Sequence, residues 1–140
     1  MKPTLSNTTK FFLIAACLAV SIVGFMVKLP SVFRHYDKEL HSLFYFLAAA
    51  FLNILFANRN IIKHLFIFAV LYFFGVSIEF AQEYSNKFYH SRIHGRYDPE
   101  DVQSNLKGLI AFSILWIVYV SLVFVYKRAI PKKVANNSNM

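Results

Sequence analysis

Hydrophobic residues in this chain fall into four long blocks, and short polar or charged segments separate them. The blocks cover residues 11–27, 40–57, 61–82 and 106–126. Each is close to the roughly 20 residues that an α-helix needs to cross the hydrocarbon core of a bilayer. Within the blocks, apolar residues do not alternate with polar ones as they would in a half-buried strand. The pattern therefore predicts an all-α fold, a polytopic membrane helical bundle with four transmembrane helices.

The segments around these blocks predict how the chain is divided. Residues 1–10 form an N-terminal tail, residues 11–126 the four-span membrane domain, and residues 127–140 a basic, Asn-rich tail that we expect to be disordered. The first block contains a string ending at Cys17 that looks like a lipoprotein cleavage box. Because the apolar run continues past Cys17 and no cleavage site follows it, we interpret the block as a retained helix.

Composition and charge support a membrane environment. The chain is 57% hydrophobic and 16% charged, with a formal net charge of +8, whereas soluble domains are about half apolar and a quarter charged. In a soluble protein this charge would suggest a nucleic-acid partner. Here the basic residues flank the apolar blocks, which indicates contact with anionic lipid headgroups. We expect membrane lipids as partners and no nucleic acid, and the sequence does not predict an oligomeric state.

The two faces of the predicted bundle differ in charge. Four spans place both termini on the same side, and Lys and Arg divide almost equally between the two sides. All 7 acidic residues, in contrast, fall on the side opposite the termini. Because acids orient helices only weakly, they favour cytoplasmic termini without fixing them. In either orientation, one face carries every carboxylate.

Three short polar clusters converge on this acid-bearing face. They are Asp37-Lys38-x-x-His41 before span two, Glu79-x-x-Gln82-Glu83 at the end of span three, and Arg96-Tyr97-Asp98-Pro99-Glu100-Asp101 followed by Asn105 and Gly108 before and within span four. Spacings of three and four place such side chains on one side of a helix. Asp98 is a predicted helix N-cap followed by Pro99 at the first helical position. Gly108 and Ala111 are small enough to let another helix approach closely.

Glu79 is the most unusual of these residues because it lies below the predicted membrane surface. It precedes Tyr84 by about five residues, roughly 7–8 Å of helix rise, and an isolated carboxylate at that depth needs a partner. Lys38, Arg92 and Arg96 are the candidate partners. Two interpretations remain open: the acids and bases pair only with each other and cap helices, or they form a functional site.

Catalysis and metal binding are weaker predictions. Glu79 or Asp101 could act as general acid or base with His41 assisting, but no nucleophile motif such as GxSxG is present. A site for zinc or another divalent ion could be assembled from His41, Glu79, Glu83, Asp98 and Asp101. Because no HExxH-type motif supports that assembly, we expect no metal ion and no cofactor.

The segment between spans three and four has two possible roles. Residues 84–97 interleave bases such as Lys87, Arg92 and Arg96 with the aromatic rings of Phe88 and Tyr89. This mixture is typical of a segment that lies at the membrane surface, with rings at headgroup level and bases on phosphates. The segment is either an ordinary interfacial loop or a lid over an anionic lipid headgroup.

The same clusters resemble the VanZ-like family of small bacterial membrane proteins. The resemblance is carried by Asp37-Lys38-x-x-His41 with Tyr45 behind it, by Glu79-x-x-Gln82, and by an arginine followed by Asp101-x-x-x-Asn105-x-x-Gly108. It extends from Asp37 to about span four, which is roughly two-thirds of the chain. The family arginine usually lies about six residues before the aspartate, whereas Arg96 lies five and Arg92 nine residues before Asp101. Either of them is a candidate for that role.

This resemblance implies a location and a set of functional residues. It implies a multi-pass protein of the bacterial cytoplasmic membrane, in a family whose founding member is associated with reduced sensitivity to the glycopeptide teicoplanin. The implied ligand-binding residues are Lys38, His41, Glu79, Gln82, Arg92 or Arg96, Asp101 and Asn105. The resulting hypothesis is an outward-facing pocket for a lipid-linked or envelope-associated ligand. The alternatives are a small intramembrane enzyme acting on a lipid headgroup and a structural or accessory membrane subunit.

Overall fold

The computed structural model describes residues 5–26, 30–89 and 97–129. Within these ranges the chain forms four long helices and no strand: α1 Asn7–Met26, α2 Asp37–Leu52, α3 Ile61–Phe88 and α4 Pro99–Ala129. A 3-10 segment, Ser31–Tyr36, leads into α2, and a π-helical segment, Asn53–Ala57, continues it. With that continuation, all four helices are long and apolar enough to cross a membrane. The predicted all-α membrane bundle is therefore confirmed.

Helices α3 and α4 each begin just after a residue whose side chain caps the first backbone N–H groups. Asp98 Oδ1 accepts a hydrogen bond from the Glu100 backbone N–H at 2.8 Å, which confirms the predicted N-cap of α4. Asn60 caps α3 in the same way, because its side-chain oxygen accepts from the Lys63 N–H at 3.1 Å. Asn58 begins the turn before α3 with a left-handed φ of 42°. Asparagine tolerates this conformation better than most residues, so the turn can be tight.

The helices extend beyond the apolar blocks that predict their spans, most of all α3 and α4. Helix α3 continues to Phe88, past the block that ends at residue 82, and α4 begins at Pro99, before the block that starts at residue 106. At about 1.5 Å per residue, both helices are longer than the roughly 30 Å hydrocarbon core. The polar clusters therefore lie on rigid helical extensions of the spans. Of the predicted tail over 127–140, residues 127–129 belong to α4, and residues 130–140 lie outside the described residues.

The core lies between α2, α3 and α4, and α1 packs on the outside. The buried apolar residues of the core include Tyr45, Ala49, Leu71, Leu109, Phe112 and Trp116. Gly108 marks the closest approach of α2 and α4, because a Cβ there would lie 2.1 Å from the Ser42 carbonyl oxygen. This confirms the close approach expected at Gly108, whereas Ala111 is exposed. No described residue of α1 is buried, so most of its apolar surface faces outward.

Candidate functional site

Polar side chains from α2, α3 and the start of α4 meet at one end of the bundle. We call this group the acidic cluster, and its members are Asp37, His41, Glu79, Asp98, Asp101 and Asn105. Helix α4 brings Asp101 and Asn105 to the site on one stripe that continues to Gly108. Because Gly108 lets the backbones of α2 and α4 nearly touch, short side chains on these two helices can reach each other.

His41 is held at the centre of the acidic cluster. Its side chain is buried, and Nδ1–H donates to Asn105 Oδ1 at 2.8 Å. The other ring nitrogen, Nε2, lies 3.9 Å from Asp37 Oδ1, one helical turn earlier. The ring of Phe25 covers His41 from α1, with 5.0 Å between ring centroids. Asn105 therefore fixes the orientation of the imidazole, and Nε2 is directed toward a carboxylate.

Glu79 is completely buried, and among the described residues only one of its two carboxylate oxygens has a hydrogen-bond partner. Oε2 accepts a hydrogen bond from the Asp98 backbone N–H at 3.2 Å. Oε1 is buried and receives no hydrogen bond from a described residue. Within the described ranges, the ionisable groups that interact with Glu79 electrostatically are Asp101, His41 and Asp98. A buried oxygen without a donor costs about 1–3 kcal/mol and more when charged, so the contacts of the described residues do not by themselves account for Glu79.

Three side chains of the cluster lie close enough to share a ligand. One nitrogen of His41 and one carboxylate oxygen each of Asp37 and Asp101 lie within 4.8 Å of one another. The metal-site candidates drawn from the sequence included His41 and Asp101 but not Asp37. Glu83, another of those candidates, instead pairs with Lys87 at 3.4 Å. The spacing of Asp37 and His41, one turn apart on α2, was the signal that could have added Asp37 to the set.

The remaining predicted ligand residues lie around the cluster rather than within it. Lys38 is exposed at the rim, where its ammonium group lies 3.5 Å from Asp98 Oδ2 and also pairs with Glu100. Gln82 Nε2 donates to the Phe25 carbonyl oxygen at 2.8 Å and thereby attaches the end of α1 to α3. Of the predicted lid over 84–97, residues 84–88 belong to α3, whereas residues 90–96, with Arg92 and Arg96, lie outside the described residues.

An apolar groove of about 670 Å³ lies between α1, α2 and α3. Its lining includes Ile14, Cys17, Phe44, Leu47, Phe51 and Phe74. The ring of Phe25 links the groove to the acidic cluster, because it contacts His41 and also packs edge-on against Phe44 of the lining, with 4.8 Å between centroids. Phe25 therefore lies between the acceptor-rich site and the apolar groove.

A second polar group lies near the other end of the bundle. We call it the histidine cluster, and its members are Asn53, His64, Ser113 and Trp116. His64 Nδ1–H donates to Asn53 Oδ1 at 2.8 Å, Nε2 lies 3.1 Å from Ser113 Oγ, and the ring stacks on Trp116 at 4.2 Å. Sequence reasoning missed this group. The available signal was that Asn53 and His64 interrupt adjacent apolar blocks at similar distances from the turn that joins them.

The chain matches no protein-family model, and searches of curated proteins and of solved structures returned no match. The acidic cluster and the groove beside it are therefore the grounds on which a function can be proposed.

Proposed function

We propose that the chain is a VanZ-like protein of the bacterial cytoplasmic membrane, with cytoplasmic termini, that binds a lipid-linked or envelope-associated ligand. The acidic cluster holds the polar head of the ligand and the groove holds its apolar chain. The observation that carries this proposal is that Phe25 contacts both His41 of the cluster and Phe44 of the groove lining. A site of this form suits an amphiphile, since each part of the ligand meets a surface of its own polarity.

The chemistry of the cluster limits what the polar head can be. Carboxylates of Asp37, Glu79 and Asp101 supply acceptors and no donors when ionised. A complementary head must therefore bring hydroxyl, amide or ammonium donors, as sugars and amino acids do. Lys38 at the rim adds a contact for an anionic group such as a phosphate, and Arg92 or Arg96 would add another. This combination supports a lipid-linked precursor of the cell envelope as the ligand class.

The residues that carry the family resemblance support the same proposal. His41, Glu79, Asp101 and Asn105 come from three helices and are separated widely in sequence, yet they form one cluster. Reduced teicoplanin sensitivity is the phenotype that the resemblance implies.

The test compares teicoplanin susceptibility in a sensitive host that carries wild type, Glu79→Gln, Glu83→Gln or an empty vector. Membrane levels are matched by immunoblot, and Glu83→Gln serves as a control because that carboxylate lies one turn further along the same helix. We expect wild type and Glu83→Gln to lower susceptibility and Glu79→Gln to have no effect. Equal susceptibility in all four strains would contradict the phenotype.

Ligand binding is measured separately. Full-length protein is purified in mild detergent, and the lipids that remain bound are identified by native mass spectrometry. We expect a specific lipid-linked molecule on wild type and Glu83→Gln that is lost from Glu79→Gln. The same bulk phospholipids on every variant would contradict a specific site.

A second candidate function is an intramembrane enzyme acting on a lipid headgroup. It is favoured by one observation, the buried Glu79 carboxylate in electrostatic contact with His41, because such a pair can move a proton. The two functions differ in outcome: when wild type is incubated with the copurified lipid, the mass of the lipid stays unchanged if the protein only binds it.

The third hypothesis is an accessory subunit. In that case Glu79→Gln lowers protein abundance in step with function.

A further inference from the structure

The orientation of His41 leaves two hydrogen-bond acceptors facing each other. Because Nδ1–H donates to Asn105 Oδ1, the neutral ring presents its lone pair at Nε2. That nitrogen faces Asp37 Oδ1 across 3.9 Å. A cation between them would turn this unfavourable approach into two bonds. Metal-binding histidines almost always donate their other N–H to an oxygen acceptor, as His41 does here.

The distances within the group suit one small ion. Zn²⁺ lies about 2.0–2.2 Å from imidazole nitrogens and carboxylate oxygens, so two of its ligands can be no more than about 4 Å apart. The atoms of Asp37, His41 and Asp101 are already within 4.8 Å of one another. Small rotations of the carboxylates would therefore bring all three into coordination distance.

A separate observation concerns Glu79. Its Oε1 is buried and receives no hydrogen bond from any residue that the structure describes, although the side chain interacts electrostatically with His41 and Asp101. Lys38 does not fill this role, since Asp98 and Glu100 hold its ammonium group at the exposed rim. A cation, or a water molecule bound to it, would supply what this oxygen lacks.

We propose that Asp37, His41 and Asp101 bind a divalent transition-metal ion of the Zn²⁺ class, with Glu79 completing its surroundings directly or through a bound water. One imidazole and several carboxylates are a ligand set that Zn²⁺ and its neighbours accept. This site replaces the expectation, drawn from the absence of a sequence motif, that no metal is bound. It does not depend on the lipid proposal, because the ligands all come from this chain.

The test uses the full-length protein, purified in detergent and treated with a chelator. Zn²⁺ is titrated by calorimetry, and Co²⁺ is used as a spectroscopic probe of the same site. We expect one ion per chain for wild type and at least a tenfold loss of affinity in His41→Gln and Asp101→Asn. His35→Gln and His64→Gln are matched controls, since neither histidine belongs to the group, and we expect both to bind as wild type does.

Asn105 provides a test of orientation rather than of ligation. Asn105→Leu removes the acceptor for His41 Nδ1–H but leaves every proposed ligand in place. Loss of such a supporting hydrogen bond typically costs about 10–100-fold in metal affinity, and we expect a loss in that range. Affinity equal to wild type would show that Asn105 does not position His41 for a metal.

A third variant keeps the proposal testable if the substituted proteins unfold. His41→Cys retains a metal-ligating side chain, so Co²⁺ should produce a thiolate charge-transfer band that wild type, with only Cys17, does not show. Absence of that band in folded His41→Cys would contradict the site. So would absence of ion binding by wild type, or unchanged affinity in both His41→Gln and Asp101→Asn. Because no envelope lipid is present, these results are independent of the lipid-binding measurements.

Discussion

Each end of the bundle contains a buried histidine whose Nδ1–H donates to an asparagine side chain at 2.8 Å. In the histidine cluster the acceptor is Asn53, and in the acidic cluster it is Asn105. The second ring nitrogen distinguishes them. That of His64 lies 3.1 Å from the Ser113 hydroxyl, whereas that of His41 faces the Asp37 carboxylate at 3.9 Å. A hydroxyl therefore lies within hydrogen-bond distance of the second nitrogen of His64, whereas the carboxylate that faces His41 lies beyond that distance.

The surroundings of the two histidines extend this difference. His64 stacks on Trp116 with an interplanar angle of 5°, and no carboxylate is part of its cluster. His41 lies among carboxylates, one of which, Glu79, keeps a buried oxygen that no described residue bonds. Fully paired polar networks make a fold rigid, whereas an unpaired buried group calls for an explanation such as a bound ligand. We therefore expect the histidine cluster to stabilise the bundle and the acidic cluster to bind a ligand.

The largest effect is expected where the acidic cluster depends on backbone contact. Gly108→Ala places a Cβ 2.1 Å from the Ser42 carbonyl oxygen, and since backbone cannot move aside as a side chain does, α2 and α4 must separate. We expect at least about 3 kcal/mol of destabilisation, at the upper end of overpacking effects. Thermal unfolding in detergent and abundance in the membrane measure it. Gly24→Ala is the control, because no atom lies within 4 Å of the added group; equal stability of the two variants would contradict the close approach.

The next largest effect should come from the histidine cluster. His64→Ala removes the stacking on Trp116 and leaves Asn53 Oδ1 without its donor, so we expect about 2–4 kcal/mol of destabilisation. Zn²⁺ affinity and bound lipid should not change in the protein that remains folded. Thermal unfolding and the metal titration measure these two outcomes. A variant that keeps its stability but loses the ligand would reverse the roles assigned to the two clusters.

The fold could be predicted from the sequence because it depends on properties that are local in the chain. Long apolar blocks predict membrane helices whatever their partners are, and the Asp98-Pro99 pair predicts where α4 begins. The polar residues of the acidic cluster could be named for the same reason, since each stands near the end of an apolar block.

The way these residues combine could not be predicted, because it depends on how the helices pack against each other. Nothing in the sequence indicates that Asn105 bonds His41 or that Gln82 attaches α1. Each contact joins residues that are far apart or on different helices. The groove beside Phe25 is likewise a property of three helices together, and no single block carries a signal for it.

A smaller effect, of opposite sign, is expected at Glu79. Glu79→Gln removes a buried charge that is only half paired, so we expect the free energy of unfolding to stay constant or rise by up to about 1 kcal/mol. Zn²⁺ affinity and bound lipid should fall in the same protein. His64→Ala should show the reverse combination, with lower stability and unchanged ligands. Destabilisation by more than about 1 kcal/mol would instead indicate that Glu79 supports the fold.

The smallest effect is expected at the rim of the acidic cluster. Lys38→Gln removes the ion pairs with Asp98 and Glu100, and since these side chains are largely exposed, we expect only a small loss of stability. Solvent screening should make the loss smaller at high salt. Thermal unfolding of wild type and Lys38→Gln at two salt concentrations measures the loss of stability and its dependence on salt. Lys87→Gln is the control, because Lys87 is another exposed lysine that pairs with an acid, Glu83. If Lys38 only neutralises the rim, both variants lose little stability and keep their Zn²⁺ affinity. A large loss of stability in Lys38→Gln alone would mean that the rim, and not only the backbone contact at Gly108, holds α4 against α2.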